Sequence, residues 1–382
     1  MSTQHTAPST PLIRMAKRDA IPLWKAVSIR LIAILLALIV SGLFIYSVTS
    51  LNPVAVYEAM FDGAFGTTRR GWVTIRDTMM LLCISIGLAP AFKMKFWNIG
   101  AEGQILIGGC ATAYCMINFG GSLSTPVLFA VMAIASLLGG ALWGIIPGIF
   151  KARWGTNETL FTLMMNYVGI QITSFCVAMW ENPYGSNSVG VINQSTQSGW
   201  LPSISAEWIR SIPGLSETSD FTYGWNVIIV MALTIGMFIY LRYSKQGYEI
   251  AVVGESQNTA RYVGIKLSKV YIRTMALSGA ICGLAGFIAV SGASHTISTS
   301  TAGGRGFTAI IVCWIAKFNT FVMIAISLLL VFLEKGAIEI ASQFRLNDYA
   351  SSVITGIILF FIIGCEFFIN YKLIFRSNKE VA

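Results

Sequence analysis

The chain has 382 residues, 55% of them hydrophobic and only 11% charged, with a formal net charge of +9. A globular domain carries about a quarter charged residues, so this balance excludes an ordinary soluble protein and points to an integral membrane protein. In a soluble chain the positive excess would suggest nucleic acid; here it supplies the basic edges of loops on one side of a bilayer, and no nucleic-acid partner is expected.

In chain order, the first thirteen residues are rich in Ser, Thr and Pro and are expected to be disordered. No short apolar segment with a small-residue cleavage site follows, so no cleaved signal peptide is expected. Arg14, Lys17, Arg18, Lys25 and Arg30 precede or open a first apolar run over about 27–48. That run spans, since about 20 helical residues cross about 30 Å of hydrocarbon. An amphipathic piece follows at 53–65, then apolar runs at about 73–92, 103–117, 126–150 and 160–180. A polar stretch, 181–223, intervenes and carries Trp200 and Trp208, as interfacial or docking segments do. After a run at 225–241 comes a basic loop, 242–273. The last runs lie at about 275–291, 307–316, 321–340 and 352–369. The fold class read from this pattern is an all-α polytopic membrane protein with about ten transmembrane or partly spanning helices. Its short, glycine-flanked runs are candidates for discontinuous spans. Residues 1–25 form an arm, 26–371 the transmembrane domain and 372–382 a tail.

Lysine and arginine set the orientation. With the N-terminus inside, the inner side holds the five in the arm, Lys93, Lys95, Lys151, Arg153, the six in 242–273, Lys317, Lys372, Arg376 and Lys379. These are nineteen of the 26 basic residues. The asymmetry puts both termini in the cytoplasm, the 181–223 loop outside and the 242–273 loop inside.

The stretch with most chemistry is 96–109, Phe-Trp-Asn-Ile-Gly-Ala-Glu-Gly-Gln-Ile-Leu-Ile-Gly-Gly. Asn98, Glu102 and Gln104 are too polar to face lipid, where an ionisable group costs about 3 kcal/mol on the mildest scale. Gly100 and Gly103 each loosen a helix by about 1 kcal/mol relative to alanine. Irregular backbone at membrane depth survives only inside protein or along a watery cavity. The stretch is therefore either the broken-helix wall of a polar path or a turn between two spans. Further on, Thr156 or Asn157 caps the fifth span, and Glu158 suits its N-terminus. Capping does not explain Asn166 and Gln171, which serve either the path or interhelical hydrogen bonds.

In the basic loop, 255–263 is predicted as a short helix with Ser256 as N-cap and Gly264 as its stop. Ala260, Tyr262 and Val263 would give it a small contact face, for a cytosolic partner or for the inner leaflet. Gly279 and Gly283 stand four apart, a face for close helix packing, in a run that also holds Gly286. His295 and Arg305 flank a Ser/Thr/Gly stretch. The seven cysteines all lie in apolar runs without a CxxC pair and read as buried structural thiols. There is no G-x-x-x-x-G-K-[ST] phosphate loop, HExxH or GxSxG, so no catalytic or metal-ligating residue and no cofactor are expected in this chain.

Together these stretches resemble the membrane permeases of ABC importers for simple sugars and nucleosides, most closely the nucleoside branch that works with basic-membrane-protein lipoproteins. Four pieces carry the resemblance: NIGAEGQ at 98–104, GTNETLFTLMMNY at 155–167, ARYVGI at 260–265 with SGAICGLAG at 278–286, and GGRGFTAIIVCWIAKF at 303–318. They extend across about 73–336. One departure is Trp314, bulky where relatives are small. The resemblance implies a permease subunit, not an enzyme, in the bacterial plasma (inner) membrane. Its implied partners are a cytosolic ABC ATPase carrying ATP and Mg, a second permease chain in a heterodimer, an external solute-binding lipoprotein, and membrane lipid. It makes Asn98, Glu102, Gln104, Asn157 and Asn166 substrate-path candidates. It makes 255–264, with Glu255, Asn258, Ala260, Arg261, Tyr262 and Gly264, the helix that couples to the ATPase. The 181–223 loop becomes part of the face that meets the binding protein. The implied solute is nucleoside-like, with riboflavin and simple sugars as alternatives. An ion-coupled secondary transporter is the reading from another class, and the scarcity of buried carboxylates weighs against it. An ABC permease needs no tight solute site, so the path is expected to be mildly polar with some aromatic walls.

Overall fold

The structure is a computed structural model that describes residues 13–17, 22–204, 222–346 and 348–375. The expected disorder of residues 1–12 and the expected interfacial role of Trp208 lie outside the described residues. The helices are α1 (Leu23–Thr49), α2 (Pro53–Phe65), α3 (Thr68–Lys93), α4 (Ala101–Phe119), α5 (Thr125–Trp154) and α6 (Glu158–Met179). They continue as α7 (Gly224–Tyr243), α8 (Lys245–Glu255), α9 (Gln257–Tyr262), α10 (Leu267–Ala289), α11 (Arg305–Ile315), α12 (Thr320–Gln343) and α13 (Asp348–Asn370). A π-helical turn, Val290–Ser294, extends α10. Among the described residues, seven helices are long and apolar enough to cross a membrane: α1, α3, α5, α6, α7, α10 with its turn, and α12. The shorter apolar helices are α11 and, within α13, Val353–Ile369. The chain is thus an all-α polytopic membrane protein.

Two features depart from the sequence reading. A ribbon of two antiparallel strands, β1 (Ile13–Lys17) and β2 (Tyr371–Phe375), joins the arm to the tail, with Ile13 opposite Phe375. The 242–273 segment is not a loop but mostly helix. Polarity hid this: α8 and the start of α10 alternate charged residues with a buried stripe, Ile250 and Val253 on one and Val270, Tyr271 and Thr274 on the other. Arg273 of α10 reaches Glu249 of α8 at 3.0 Å and ties the two together.

Helix starts follow from short polar side chains that accept orphan N–H groups. Thr67 accepts from Arg70 N at 3.2 Å, Asn157 from Leu160 N at 3.2 Å and Ser244 from Gly247 N at 2.9 Å. Gly155 ends α5 in the left-handed conformation, φ 63°.

The chain divides into two compact units, one drawn from Met1–Gly63 with Leu333–Ala382 and one from Ala64–Phe332. In the first, α1 packs on α13, and Gly63 of α2 lies against Glu339 of α12. In the second, α10 is central and packs on α5, α4 and α3. Gly140 and Gly144 of α5 face Gly279 and Gly283 of α10, while Gly108 of α4 faces Gly283 from another side. A Cβ on Gly279 would fall on the Gly140 carbonyl, on Gly283 on the Ser136 carbonyl, and on Gly286 on the Ile105 carbonyl. The three helices therefore touch backbone to backbone, which small residues alone permit.

Candidate functional site

The site is built where the chain leaves α3 and enters α4. α3 ends at Lys93, and Lys95 takes a left-handed φ of 58°, turning the backbone. The polar island that follows is a buried turn rather than a wall open to a channel. Asn98, Gln104, Asn166 and Glu102 are 0%, 1%, 3% and 7% exposed. The Asn98 amide donates to Ser278 Oγ of α10 at 3.1 Å and to Gln104 Oε1 at 3.4 Å. Its Oδ1 accepts from Gly100 N at 3.0 Å. Asn166 of α6 accepts from Gly103 N and donates to the Ile99 carbonyl, each at 2.8 Å. Thr162, one turn earlier, accepts from Ile99 N at 3.1 Å. Two side chains of α6 thus satisfy the backbone groups that the break in the helix leaves without partners.

Asn157 does not join this group. It is exposed, and its side chain caps α6. Beside it Lys151 pairs with Glu158 at 2.7 Å, bracing the turn from α5 to α6.

Glu102 connects the turn to α11. Its Oε1 accepts from Gly306 N at 2.6 Å. Gly306 lies in the first turn of α11, and Glu102 lies in the first turn of α4. One carboxylate therefore serves two helix N-termini, where orphan N–H groups and the helix dipole favour negative charge. Neighbouring turns account for the remaining starts: Phe307 N and Thr308 N donate to the Gly304 carbonyl at 3.1 and 3.3 Å.

α11 is a half-span. Its 11 residues rise about 16 Å, about half of a hydrocarbon layer. Arg305 at its start meets Asp77 Oδ2 at 3.2 Å and Met80 Sδ at 2.8 Å. Near its end Cys313 donates to the Ser85 carbonyl at 3.2 Å, and Trp314 meets Phe92 edge-on. α11 thus runs alongside the part of α3 from Asp77 to Phe92. Asp77 is the tenth residue of α3, about 14 Å from its start. α11 thus begins beside the middle of α3, and the Ser/Thr/Gly segment 295–304 leads into it.

Asp77 is itself a finding. Its side chain is 2% exposed and lies between Arg76, at 2.9 Å, and Arg305. Arg76 in turn donates to Tyr223 OH at 3.4 Å and stacks over that ring at 5.2 Å. Sequence reasoning passed over Asp77 and Thr162. The signal for Asp77 was available, since an Arg-Asp pair within an apolar run must find a partner there.

The 255–264 segment holds the expected short helix, with Ser256 as its N-cap and Gly264 at its stop, but differs in where it starts and in how Ala260 faces. Glu255 ends α8, and α9 begins at Gln257 after Ser256, whose Oγ accepts from Thr259 N at 3.2 Å. Ala260 does not belong to an outward contact face. It is 0% exposed, because only a small side chain lets α9 lie down on α8 and α10. Tyr262 and Val263 point out, 93% and 60% exposed, and Glu255, Asn258, Arg261 and Gly264 are exposed around them. Gly264 holds φ 86°, a turn that favours glycine.

These features define a polytopic membrane protein whose short helix α11 is capped from inside by Glu102. The chain belongs to the family described as branched-chain amino acid transport system / permease component, whose pattern matches residues 73–363. It is a permease subunit of an ABC importer, the class that works with an ATPase and a solute-binding protein. It is 28% identical to the guanosine ABC transporter permease protein NupP of Bacillus subtilis over 334 residues, 87% of this chain and 91% of that one. Identity is 26% to the nucleoside ABC transporter permease protein NupB of Lactococcus lactis, over 88% of this chain and 91% of that one. The glucose ABC transporter permease protein TsgB13 of Haloferax volcanii is 25% identical over 94% of this chain and 93% of its own length.

Proposed function

We propose that this permease carries a nucleoside-like solute inward, delivered by an external binding lipoprotein and driven by a cytosolic ATPase that holds ATP and Mg. The observation that supports transport through this unit is the short helix α11, tied to α4 by Glu102 and to α3 by Asp77 and entered through a polar Ser/Thr/Gly segment, which this reading places at membrane depth. Non-helical polar backbone at that depth needs protein or water around it. Similarity to permeases named for guanosine and for nucleosides supports the solute class. The glucose relative keeps simple sugars as the second reading.

In this proposal both termini are cytoplasmic and the membrane is the bacterial plasma membrane. α9 is the coupling helix, with Tyr262, Val263 and Arg261 as its docking face, and a second permease chain completes the path. Asn98, Gln104, Asn166 and Glu102 act on the path as positioning groups that fix its broken backbone. Asn157 serves as a helix cap at the edge of the same unit. The test is to purify the assembled importer with its binding protein and identify the ligand that accompanies it by mass spectrometry. A nucleoside or free base is expected; a sugar without a base would overturn the solute assignment.

A further inference from the structure

The tight seam between α5 and α10 ends in a basic hollow. A Cβ on Gly148 of α5 would meet Ile272 and Met275 of α10 within 3.4 Å, and Ser268 Oγ still reaches the Ala152 carbonyl at 3.4 Å. Beside these contacts the last turn of α5, α9 and the start of α10 surround a cavity of about 780 Å³. Four cations line it: Lys151 of α5, Arg261 of α9, Lys266 just before α10 and Lys269 in its first turn. Among the described residues no carboxylate lines it. Glu158 compensates Lys151 from outside, at 2.7 Å. Arg261, Lys266 and Lys269 make no ion pair among the described residues.

The start of α10 adds to this field. Lys266 stands at its N-cap position and gives no side-chain cap, and the first two helical residues, Leu267 and Ser268, line the cavity. The orphan N–H groups and the positive dipole end of a 23-residue helix thus lie at the same hollow as the cations. Like charges gathered around one concavity raise its potential far more than the same charges spread over a convex face. A phosphate group answers this chemistry, since helix N-termini and arginine both bind it. The volume is that of a site for a small molecule rather than for a bare ion. Trp154, 62% exposed, closes α5 beside Arg153, the place of an interfacial aromatic at the end of a span. The cavity therefore lies near headgroup level, on the cytoplasmic side in the orientation proposed above.

We propose that this cavity is a phosphate-binding site, which holds an anionic phospholipid headgroup of the inner leaflet or a soluble phosphate compound of the cytoplasm. Basic pockets between spans on the cytoplasmic side suit anionic headgroups, and both sources present the same phosphate oxygens. A bound phosphate neutralises Arg261, Lys266 and Lys269 together, and so holds α9 against the start of α10. Tyr262 and Val263, which follow Arg261 on the exposed side of α9, are steadied with it. The site uses the proposed orientation but not the identity of the solute, and its test involves no transport, so its failure and that of the transport reading are distinguishable.

The test titrates the assembled importer, purified in neutral detergent, with dioctanoyl phosphatidylglycerol and separately with inorganic phosphate, and reads binding by calorimetry. Two double variants are compared with the wild type. Lys266→Gln with Lys269→Gln removes two cations of the cavity; Arg242→Gln with Lys245→Gln removes two from the same side of the protein but outside it. The first is expected to bind about thirtyfold more weakly than the wild type, and the second to bind as the wild type does. Should the first not assemble, Lys269→Gln alone replaces it, with a loss of about fivefold expected. A loss confined to phosphatidylglycerol assigns the headgroup, and a loss with inorganic phosphate assigns a soluble source. Equal losses in the two double variants would reduce the cavity to general surface charge and overturn the site. Binding of neither probe overturns it as well; a zero-length cross-link from Lys266 or Lys269 to the ATPase would then name a protein carboxylate as the occupant.

Discussion

α1 and α3 are both long enough to span, yet they differ in kind. α1 is the most apolar of the spans, and only 22% of its spanning window is buried; α3 is among the least apolar, and 89% of its window is buried. Leu31, Leu35 and Leu43 of α1 point outward, whereas α3 buries Thr74, Asp77, Thr78 and Ser85. In water, apolar composition marks the inside of a protein. In a bilayer it marks contact with lipid, and the inside is read from small and polar residues. α10 follows α3, with 83% of its window buried and glycines at its contacts. The chemistry of this permease accordingly sits on its less apolar helices.

The widest test of that contrast is one substitution made in two places. Gly283 of α10 is pressed against Ser136, Gly140 and Gly108, whereas a Cβ on Gly236 of α7 would meet nothing within 4 Å. Leucine at Gly283 must drive α5 and α4 away from α10. Overpacking costs about 1–3 kcal/mol even where side chains can yield, and here backbone would have to move. Gly283→Leu is expected to abolish the assembled permease, and Gly236→Leu to leave its abundance within about twofold, since helix propensity alone changes by about 1 kcal/mol. Comparable yields from the two variants, read by size-exclusion chromatography, would remove the distinction between the helices.

Next in size is the buried charge. Removing one partner of a buried ion pair costs about 3–5 kcal/mol, because it leaves the other uncompensated. Asp77→Ala leaves Arg76 and Arg305 facing each other at only 22% and 20% exposure and should lower the melting temperature of the purified permease the most after Gly283→Leu. Glu102→Ala should follow, at about 1–3 kcal/mol for the unpaired Gly306 N–H, with Glu102→Gln recovering part because its amide oxygen still accepts. If all three melt with the wild type, neither carboxylate holds α11 in place.

Much of this was legible in the sequence, for a reason the same contrast supplies. Apolar runs located the spans, and the run at 307–316 is the short apolar helix α11. The residues of the buried turn stood out because polar groups beside glycine have no place in lipid. Three things stayed hidden. The ribbon between Ile13–Lys17 and Tyr371–Phe375 pairs the two ends of the chain, a contact that no local pattern encodes. α8 carries charge on one face, so hydropathy passed over it. The direction in which Ala260 faces depends on α8 and α10, and α9 alone is too short to reveal it. Each loss is tertiary information, whereas each success rests on the cost of placing one residue in one solvent.

A moderate effect should separate the two faces of α9. In the proposed docking, Tyr262→Ala removes the most exposed aromatic of the segment, 93% open, without touching the permease core. About fivefold less ATPase is expected to co-purify, with the permease itself unchanged, as for the loss of one aromatic anchor at an interface. Ala260→Asp buries a charge and should instead lower the yield of the permease. Identical behaviour of the two variants would deny α9 a distinct docking face.

The smallest effect concerns the external segment in the proposed orientation. Its stretch near Trp200 lies on the turn after α10. Leu201 N donates to the Ser291 carbonyl at 3.0 Å, and Ile192 N to the His295 carbonyl at 2.8 Å. Trp200 stacks flat on His295, ring centroids 3.9 Å apart and planes 6° apart. Burial holds the His295 imidazole below its ordinary pKa of 6.5; the nearby charge of Arg76 acts in the same direction, and a hydrogen bond with the Ser291 backbone opposes them. The folded pKa is thus below the unfolded one, so the unfolded segment binds more protons in the interval between them. Its docking is fully stabilised above about pH 6.5 and weakens as pH falls through the folded value. Limited proteolysis at pH 7.5 and 5.5 measures this, with faster cleavage near Trp200 expected at the lower pH. His295→Phe keeps a flat ring and removes the proton, so its cleavage rate should not change between the two. A wild type that is equally resistant at both values, or a His295→Phe variant that is as sensitive as the wild type, would show that this imidazole does not hold the segment down.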